Sequence, residues 1–524
     1  MINLIPIPKK CVEGNGYLML GESIKLKSDF ELPLLDLEHS EDAAIVIKKD
    51  DTIGGESYTL SVTQNGVLIK AGDEAGAYYA LQSLRQLTKY EFGVRRVKCC
   101  EIEDSPRFKW RGLQLDTARH FWSVDEIKRY LDNMFMMKLN VFHWHITDDQ
   151  GWRLEIKKYP LLTEIGSVRK YTQLNGWKST ELDNTEYRGY YSQDDVREIV
   201  EYAKARSIMI VPEIDFPAHC AAAIAAYPYL ACRELDRPVP GYFGATIPEK
   251  LQGIKDWNRT ICIGKERTIQ FVKDVIDEVC ELFPAPYFHI GGDEAPKDEW
   301  KKCPHCQKII KDNNLKNEDD LQGWFNNLVL EHLKTKGRQL IGWNEILAAD
   351  NLDKTIIAQY WTPERDKNAE KHANSGGSII MSNHKSFYFD MPYGKYPLKN
   401  TYDYSPERFG VNKQNIKNVL GVEGEVWTEW IDSAERLDMM LFPRLQALSE
   451  VAWSCDENRN WKSFLERLDS FKVFYKLLGI NYAVDKVTMP VNLFDRLNVE
   501  LKFLKGDTHL ETRRNRKYIA KGEI

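Results

Sequence analysis

From Arg107 onward the sequence repeats one beat, a short β-rich run followed by an amphipathic helix, eight times within about 350 residues. The strand candidates are GLQLDTAR, NVFHWHIT, IMIVPEIDF, YFHIGG, QLIGWNE, TIIAQYW, SIIMSN and NVLGVEGEVW. Between them lie runs with apolar residues at helical spacing, among them VDEIKRYLDNMFMMK, QDDVREIVEYAKARS, IQFVKDVIDEVCELF and LQGWFNNLVLEHLKTKG. This alternation predicts an α/β fold, a (β/α)8 (TIM) barrel. The competing arrangement is an open doubly wound sheet, but no Gly-rich GxGxxG turn follows the first strand to make a dinucleotide site there.

Ahead of the barrel, SYTLSV and GVLIKA alternate as strands, and DEAGAYYALQSLRQLTKY places Ala and Leu on one helical face. No cluster of acids or histidines occurs there, so residues 1–103 read as a small α+β accessory domain. The barrel is expected over 104–483, closed by the packing helix WKSFLERLDSFKVFYKLLG, with a C-terminal extension over 484–524. The basic run 513-RRNRK-517 reads as a solvated tail or the edge of a further domain.

Composition narrows the partners. A net charge of -6 argues against nucleic acid. The longest apolar patch, 220-CAAAIAA-226, is far below the ~20 residues of a membrane span, so no membrane insertion is expected. The start MINLIPIPKKC lacks the pattern of a signal peptide, so the chain as written is expected in the cytoplasm, or outside the cell if a leader has been removed. The 14 Trp and 25 Tyr favour a flat amphipathic ligand such as a sugar, whose C–H faces pack on rings. Ten cysteines in 524 residues do not make a disulfide scaffold. In KCPHC, Cys303 and Cys306 have CxxC spacing with no second CxxC to complete a zinc site, so they read as a loop clip or two free thiols.

A barrel demands that working residues sit where strands end. The first strand ends in Asp116 and Arg119-His120, the second in His143, His145 and Asp148-Asp149, and the third in Glu213, Asp215 and His219. Then come Asp293-Glu294, Trp343-Asn344-Glu345, Gln359 and Trp361, Tyr388 and Asp390, and Glu425, Trp427 and Glu429. Three chemistries compete for this rim. His143-x-His145 with His219 and an Asp suits a metal-dependent barrel hydrolase. A lectin-like surface would bind sugar without turnover. Paired carboxylates between aromatic walls suit glycoside hydrolysis.

Taken in order, WRGLQLDTARHF, HWHITDDQGWRLEI, VPEIDFPAH, HIGGDE, GWNEI and GVEGEVWTEW resemble the successive signatures of family 20 glycoside hydrolases, the β-N-acetylhexosaminidases, over about residues 105–455. The resemblance implies an exo-acting enzyme on terminal β-linked GlcNAc or GalNAc, retaining, with no metal or organic cofactor. It also implies substrate assistance, in which the 2-acetamido oxygen attacks the anomeric carbon and no enzyme nucleophile is used. By the same resemblance Glu294 is the general acid and base, in surroundings that raise its pKa, and Asp293 receives the acetamido N–H. His219 sits beside Glu294, oriented by Asp148, and Tyr388 holds the acetamido oxygen. Trp343, Trp361 and Trp427 wall the pocket, while Arg119, Asp390 and Glu429 bind the sugar hydroxyls. Gly291 and Gly292 are expected to let the backbone pass close to the ligand.

Overall fold

The computed structural model describes residues 2–522 other than 22, 36, 92, 244–258 and 491. Eight parallel strands close a barrel: Trp110–Asp116, Val141–His145, Met209–Glu213, Tyr287–His289, Gln339–Trp343, Ile357–Tyr360, Ile379–Met381 and Val419–Gly424, the last pairing back onto the first. Seven lie inside the β-rich runs, and the first begins two residues ahead of GLQLDTAR. The helices between them start where the sequence offers caps. Ser123 with Glu126 and Ser192 with Asp195 form capping boxes at the heads of Val124–Met136 and Gln193–Lys204.

Register positions the future site. His145 pairs with Asp116 on one side and Glu213 on the other, and Glu213 pairs with His289. Four polar residues from four neighbouring strands therefore stand level near the C-terminal rim. His143 and His145 are two residues apart on one strand and share its inner face. Among the described residues no helix is long and apolar enough to cross a membrane.

The N-terminal unit is an eight-stranded sheet with the helix Glu74–Leu87 packed on it. It docks on the barrel through a buried ionic knot. Lys138, 1% exposed and in the left-handed region at φ 57°, donates to the Tyr58 hydroxyl at 2.8 Å and Ser83 Oγ at 2.9 Å, with Asp104 Oδ2 at 3.2 Å. Trp453 Nε1 donates to the other oxygen of Asp104 at 2.9 Å.

The end of the chain is not a solvated tail. It forms the helices Leu493–Leu504 and Leu510–Ala520, which pack against the barrel mouth. Buried Glu511 accepts from the Tyr393 and Gly394 amides at 2.8 Å each. Phe503 joins an aromatic cluster with Phe243, Tyr388, Met391 and Trp430. The basic run 513–517 is the outer part of the second helix, where Arg513 and Arg516 pair with Asp507 and Glu435.

The Lys138–Asp104 knot yields a prediction. Lys138→Ala leaves a buried carboxylate without its cation and is expected to lose about 3–5 kcal/mol in equilibrium urea unfolding. The double variant Lys138→Met with Asp104→Asn is expected to recover most of that loss.

Candidate active site

A cavity of about 320 Å³ opens at the C-terminal mouth of the barrel. Its walls include Arg119, His219, Asp293, Glu294, Trp343, Trp361, Tyr388, Asp390, Trp427 and Glu429. Asp148 lies beneath, behind His219. The residues singled out by the sequence thus come from distant segments to one place.

The loop after Tyr287–His289 turns on two glycines in the left-handed region, Gly291 at φ 69° and Gly292 at φ 92°. A Cβ on Gly291 would lie 2.0 Å from Asp215 Oδ1, which also accepts from the Gly292 amide at 3.3 Å. A Cβ on Gly292 would meet Ile346 Cγ2 at 2.6 Å. The neighbours that require glycine here are Asp215 and Ile346 of the protein itself. The turn then delivers Asp293 and Glu294 to different environments.

Asp293 is the inner acid. Its side chain is 17% exposed, and Oδ2 lies 3.6 Å from His219 Nε2. Burial pushes its carboxyl up to about 6, the His219 charge opposing and the nearby Glu294 adding to the shift. Glu294 is the outer acid, 45% exposed, with Oε2 3.8 Å from His219 Nε2 and 3.4 Å from Arg259 Nη2. A third acid, Glu345, stands beside the pair, and its Oε1 accepts from the Glu294 amide at 3.5 Å. Burial and then Asp293 push the Glu345 carboxyl up to about 7, against the hydrogen bond from Trp361 Nε1 at 2.9 Å.

Behind these acids runs a ladder of charges. His219 Nδ1 is 3.2 Å from Asp148 Oδ1 and 3.4 Å from Asp149 Oδ2. Asp148 Oδ2 pairs with Arg119 Nη2 at 2.7 Å and with His145 Nε2 at 2.8 Å. His145 Nδ1 contacts Glu213, which also takes the Trp343 indole N–H at 2.8 Å. Burial disfavours charge on His219, yet Asp148 and Asp293 outweigh it and hold the imidazole well above its ordinary range. Likewise Glu423 and Glu213 outweigh burial and push His143 up to about 10. His143 and His145 thus each bridge two buried carboxylates, His143 between Glu213 and Glu423 and His145 between Glu213 and Asp148.

Aromatic rings enclose the inner end. Trp361 stacks on Tyr388 with centroids 5.9 Å apart, Trp343 lies 5.9 Å from Trp427, and the Arg119 guanidinium covers the other ring region of Trp427 at 5.2 Å. Asp293 Oδ1, Asp390 Oδ1 and Trp427 Nε1 are buried without a hydrogen-bond partner among the described residues. Buried polar atoms of this kind at a cavity wall are sites for a ligand's polar groups. Burial pushes Glu429 up to about 7 against the pull of Arg119, and pushes Asp390 up as well.

Sequence reasoning missed Arg259, Trp177 and Phe243, all on the cavity wall. They lie in irregular segments between elements, where no periodicity marks a residue as inward-facing. Glu345 was visible at a strand end in GWNEI, and the fold joins it to the acids through the Glu294 amide and to the cavity wall through Trp361 Nε1.

A (β/α)8 barrel whose mouth joins two adjacent carboxylates to a tryptophan-walled cavity defines the class, a glycoside hydrolase. Comparison with known proteins gives the family. Residues 108–456 match the model of the glycosyl hydrolase family 20 catalytic domain, and 30–105 match domain 2 of that family. The chain belongs to glycosyl hydrolase family 20. It is 36% identical to a Beta-hexosaminidase of Porphyromonas gingivalis over 93% of this chain, spanning 65% of that protein's length. The solved β-N-acetylhexosaminidase of Bacteroides fragilis superposes with a TM-score of 0.80 at 31% identity, over 94% of this chain and 99% of that one. The exo β-N-acetylglucosaminidase of Vibrio harveyi, solved with N-acetylglucosamine, also gives 0.80 at 30% identity, over 92% and 78%.

The Asp293 setting makes a signed prediction. A carboxyl with a raised pKa in the folded chain costs stability only where the unfolded chain has ionised it. That cost is absent below about pH 4, grows as pH rises, and is complete above about 6. Asp293→Asn is therefore expected to be more stable than the parent at pH 7–8 by up to about 3 kcal/mol, with the advantage vanishing near pH 4. Urea unfolding at the two pH values checks it, and a constant difference across pH would refute it.

Proposed function

We propose that the chain is an exo-acting β-N-acetylhexosaminidase that removes terminal β-linked GlcNAc or GalNAc with retention of configuration, by substrate-assisted catalysis. The observation that carries this reading is the unequal pair of acids. One is largely shielded on a cavity wall that also carries Trp343, Trp361 and Trp427 and has an orphaned carboxylate oxygen, and the other is nearly half exposed. The first suits a buried acetamido group and the second a departing alcohol. Membership of family 20 and the likeness to named hexosaminidases support it.

In the first step Glu294 gives its proton to the glycosidic oxygen, the C1–O bond breaks, and the acetamido carbonyl oxygen of the same sugar bonds to C1. Asp293, ionised above pH 6 or so, accepts the acetamido N–H and balances the positive charge of the oxazolinium ring. Tyr388 donates its hydroxyl to the acetamido oxygen, holding it for attack. In the second step Glu294, now a carboxylate, removes a proton from water, and the water oxygen displaces the acetamido oxygen from C1. Two inversions give retention. His219 lies between the two acids and Asp148 and keeps positive charge beside both. Arg119, Asp390 and Glu429 close the cavity around the hydroxyls of a terminal sugar, which makes the action exo.

Glu294→Gln is expected to lower kcat/KM by roughly 10²–10⁴ on oligosaccharides, whose leaving groups need a proton. For a dinitrophenyl glycoside of GlcNAc, which needs little protonation, the loss is expected to be far smaller. Equal losses on both substrates would remove Glu294 as the acid. A thiazoline analogue of the oxazolinium should inhibit tightly. Trapping a 2-fluoro sugar covalently on an enzyme carboxylate would contradict substrate assistance.

A further inference from the structure

Four cysteines from three separate segments meet beside the barrel mouth. Cys232 follows the helical turn Pro228–Leu230, Cys262 precedes the helix Glu266–Leu282, and Cys303 and Cys306 bracket the start of the helix Pro304–Asp312. Their four sulfurs all lie within 4.8 Å of one another. Cys262 Sγ is 3.5 Å from Cys303 Sγ and 3.7 Å from Cys306 Sγ, and Cys232 Sγ is 3.9 Å from Cys306 Sγ. A disulfide holds its sulfurs at about 2.05 Å, so Cys303 and Cys306 are two free thiols, the second of the two readings their spacing allowed, and they have company. The pair is half of a cluster whose other half comes from single cysteines earlier in the chain.

The spacing identifies what the cluster suits. Four thiolates around one tetrahedral ion, with metal–sulfur bonds of about 2.3 Å, stand about 3.8 Å apart along the edges. The three separations bracket that value. Thiolates of an iron–sulfur cluster sit on different irons and spread wider than this. The backbone fits as well. The Gly264 amide donates to the Cys262 sulfur, and a Cβ on Gly264 would lie 2.4 Å from the Cys306 nitrogen, so only glycine permits the approach. Cys306 lies in the first turn of its helix, where free N–H groups favour thiolate. Cys262 and Cys306 are fully buried, Cys303 nearly so, and Cys232 half-buried.

We propose that Cys232, Cys262, Cys303 and Cys306 bind one structural zinc ion. All four positions are filled by protein, so the ion has no open site and takes no part in the reaction. Its work is to tie together the segments that bear the cavity wall. Cys262 comes three residues after Arg259, and Cys303 nine residues after Glu294. Between them Trp300 Nε1 donates to the Ile261 carbonyl at 2.9 Å, and the Ile261 amide donates to Pro217 O at 2.8 Å, two residues before His219. The inference does not rest on the glycosidase reading, because metal content is measured without substrate.

The full chain, produced in zinc-supplemented medium and desalted, is expected to carry about one zinc by elemental analysis. Titration with an organomercurial should release that zinc in step with four thiols. Cys303→Ser and Cys262→Ser should lose the metal, while Cys455→Ser, far from the cluster, should keep it. Should the first two variants fail to fold, cobalt replacement in the parent chain decides. Thiolate-to-cobalt charge transfer with strong d–d bands supports a tetrahedral four-sulfur site, and a weak octahedral spectrum overturns it. Removal of the ion by a strong chelator should lower Tm by several degrees with the thiols kept reduced. A metal-free chain, iron in place of zinc, a disulfide among the four by mass spectrometry, or metal retained in Cys303→Ser would each overturn the proposal.

Discussion

Glu213 is the charge on which the barrel mouth depends. It is fully buried, and an isolated carboxylate there would cost several kcal/mol. The sequence surrounds it with compensating groups: His145 and Trp343 bond it, and His143 Nε2 lies at 3.1 Å, while His289 Nδ1, 3.2 Å away, accepts from the Gly291 amide. His145 passes the constraint to Asp148, and Asp148 passes it to Arg119 and His219. Each link is a buried charge that cannot leave its neighbour without stranding it. The places of Trp343, Arg119 and His219 on the cavity wall are thus consequences of one requirement for pairing. In the sequence Glu213 was only one rim acid among several; its burial makes it the root of the ladder.

Backbone strain falls on the same site. His219 at φ 50° and Glu294 at φ 46° are non-glycine residues in the left-handed region, and their side chains face each other at 3.8 Å. Such positions cost of order 1–3 kcal/mol each and persist only where surrounding contacts outweigh them. The contacts are visible. His219 is held through Asp148, and Glu294 follows two glycines pinned against Asp215 and Ile346. A relaxed loop would let the two side chains swing apart. Strain and pairing together fix the relative placement of His219 and Glu294.

The barrel was legible because both of its periods are local. Strands such as IMIVPEIDF and helices such as QDDVREIVEYAKARS announce themselves within a dozen residues, and the barrel rule then locates the rim acids. Features built from contacts across the chain were not legible. Arg259 reaches Glu294 from an irregular segment, and Phe503 reaches Tyr388 from helices that the basic run 513–517 disguised as tail. The cysteines show the limit most plainly. The spacing of Cys303 and Cys306 is local and was seen, whereas Cys232 and Cys262 are single residues that join them only through folding. Nor does adjacency in the sequence say which of two neighbouring acids, Asp293 or Glu294, turns inward.

That last point separates the acids by physics instead of by motif. Asp293 is buried against His219 and the tryptophans, and its carboxyl resists ionisation until about 6. An anion held there is poorly solvated, so it gains most from a partner that brings an N–H and a developing positive charge. Glu294 is nearly half exposed and stands next to Arg259 at the cavity. On the proposed reaction the inner acid acts on the nucleophile, which must stay dry, and the outer acid acts on the groups that must exchange with solvent. Swapping the two settings would put the proton donor where no alcohol can leave. The order Asp-Glu, read inward to outward along one turn, is therefore a geometric requirement of the chemistry.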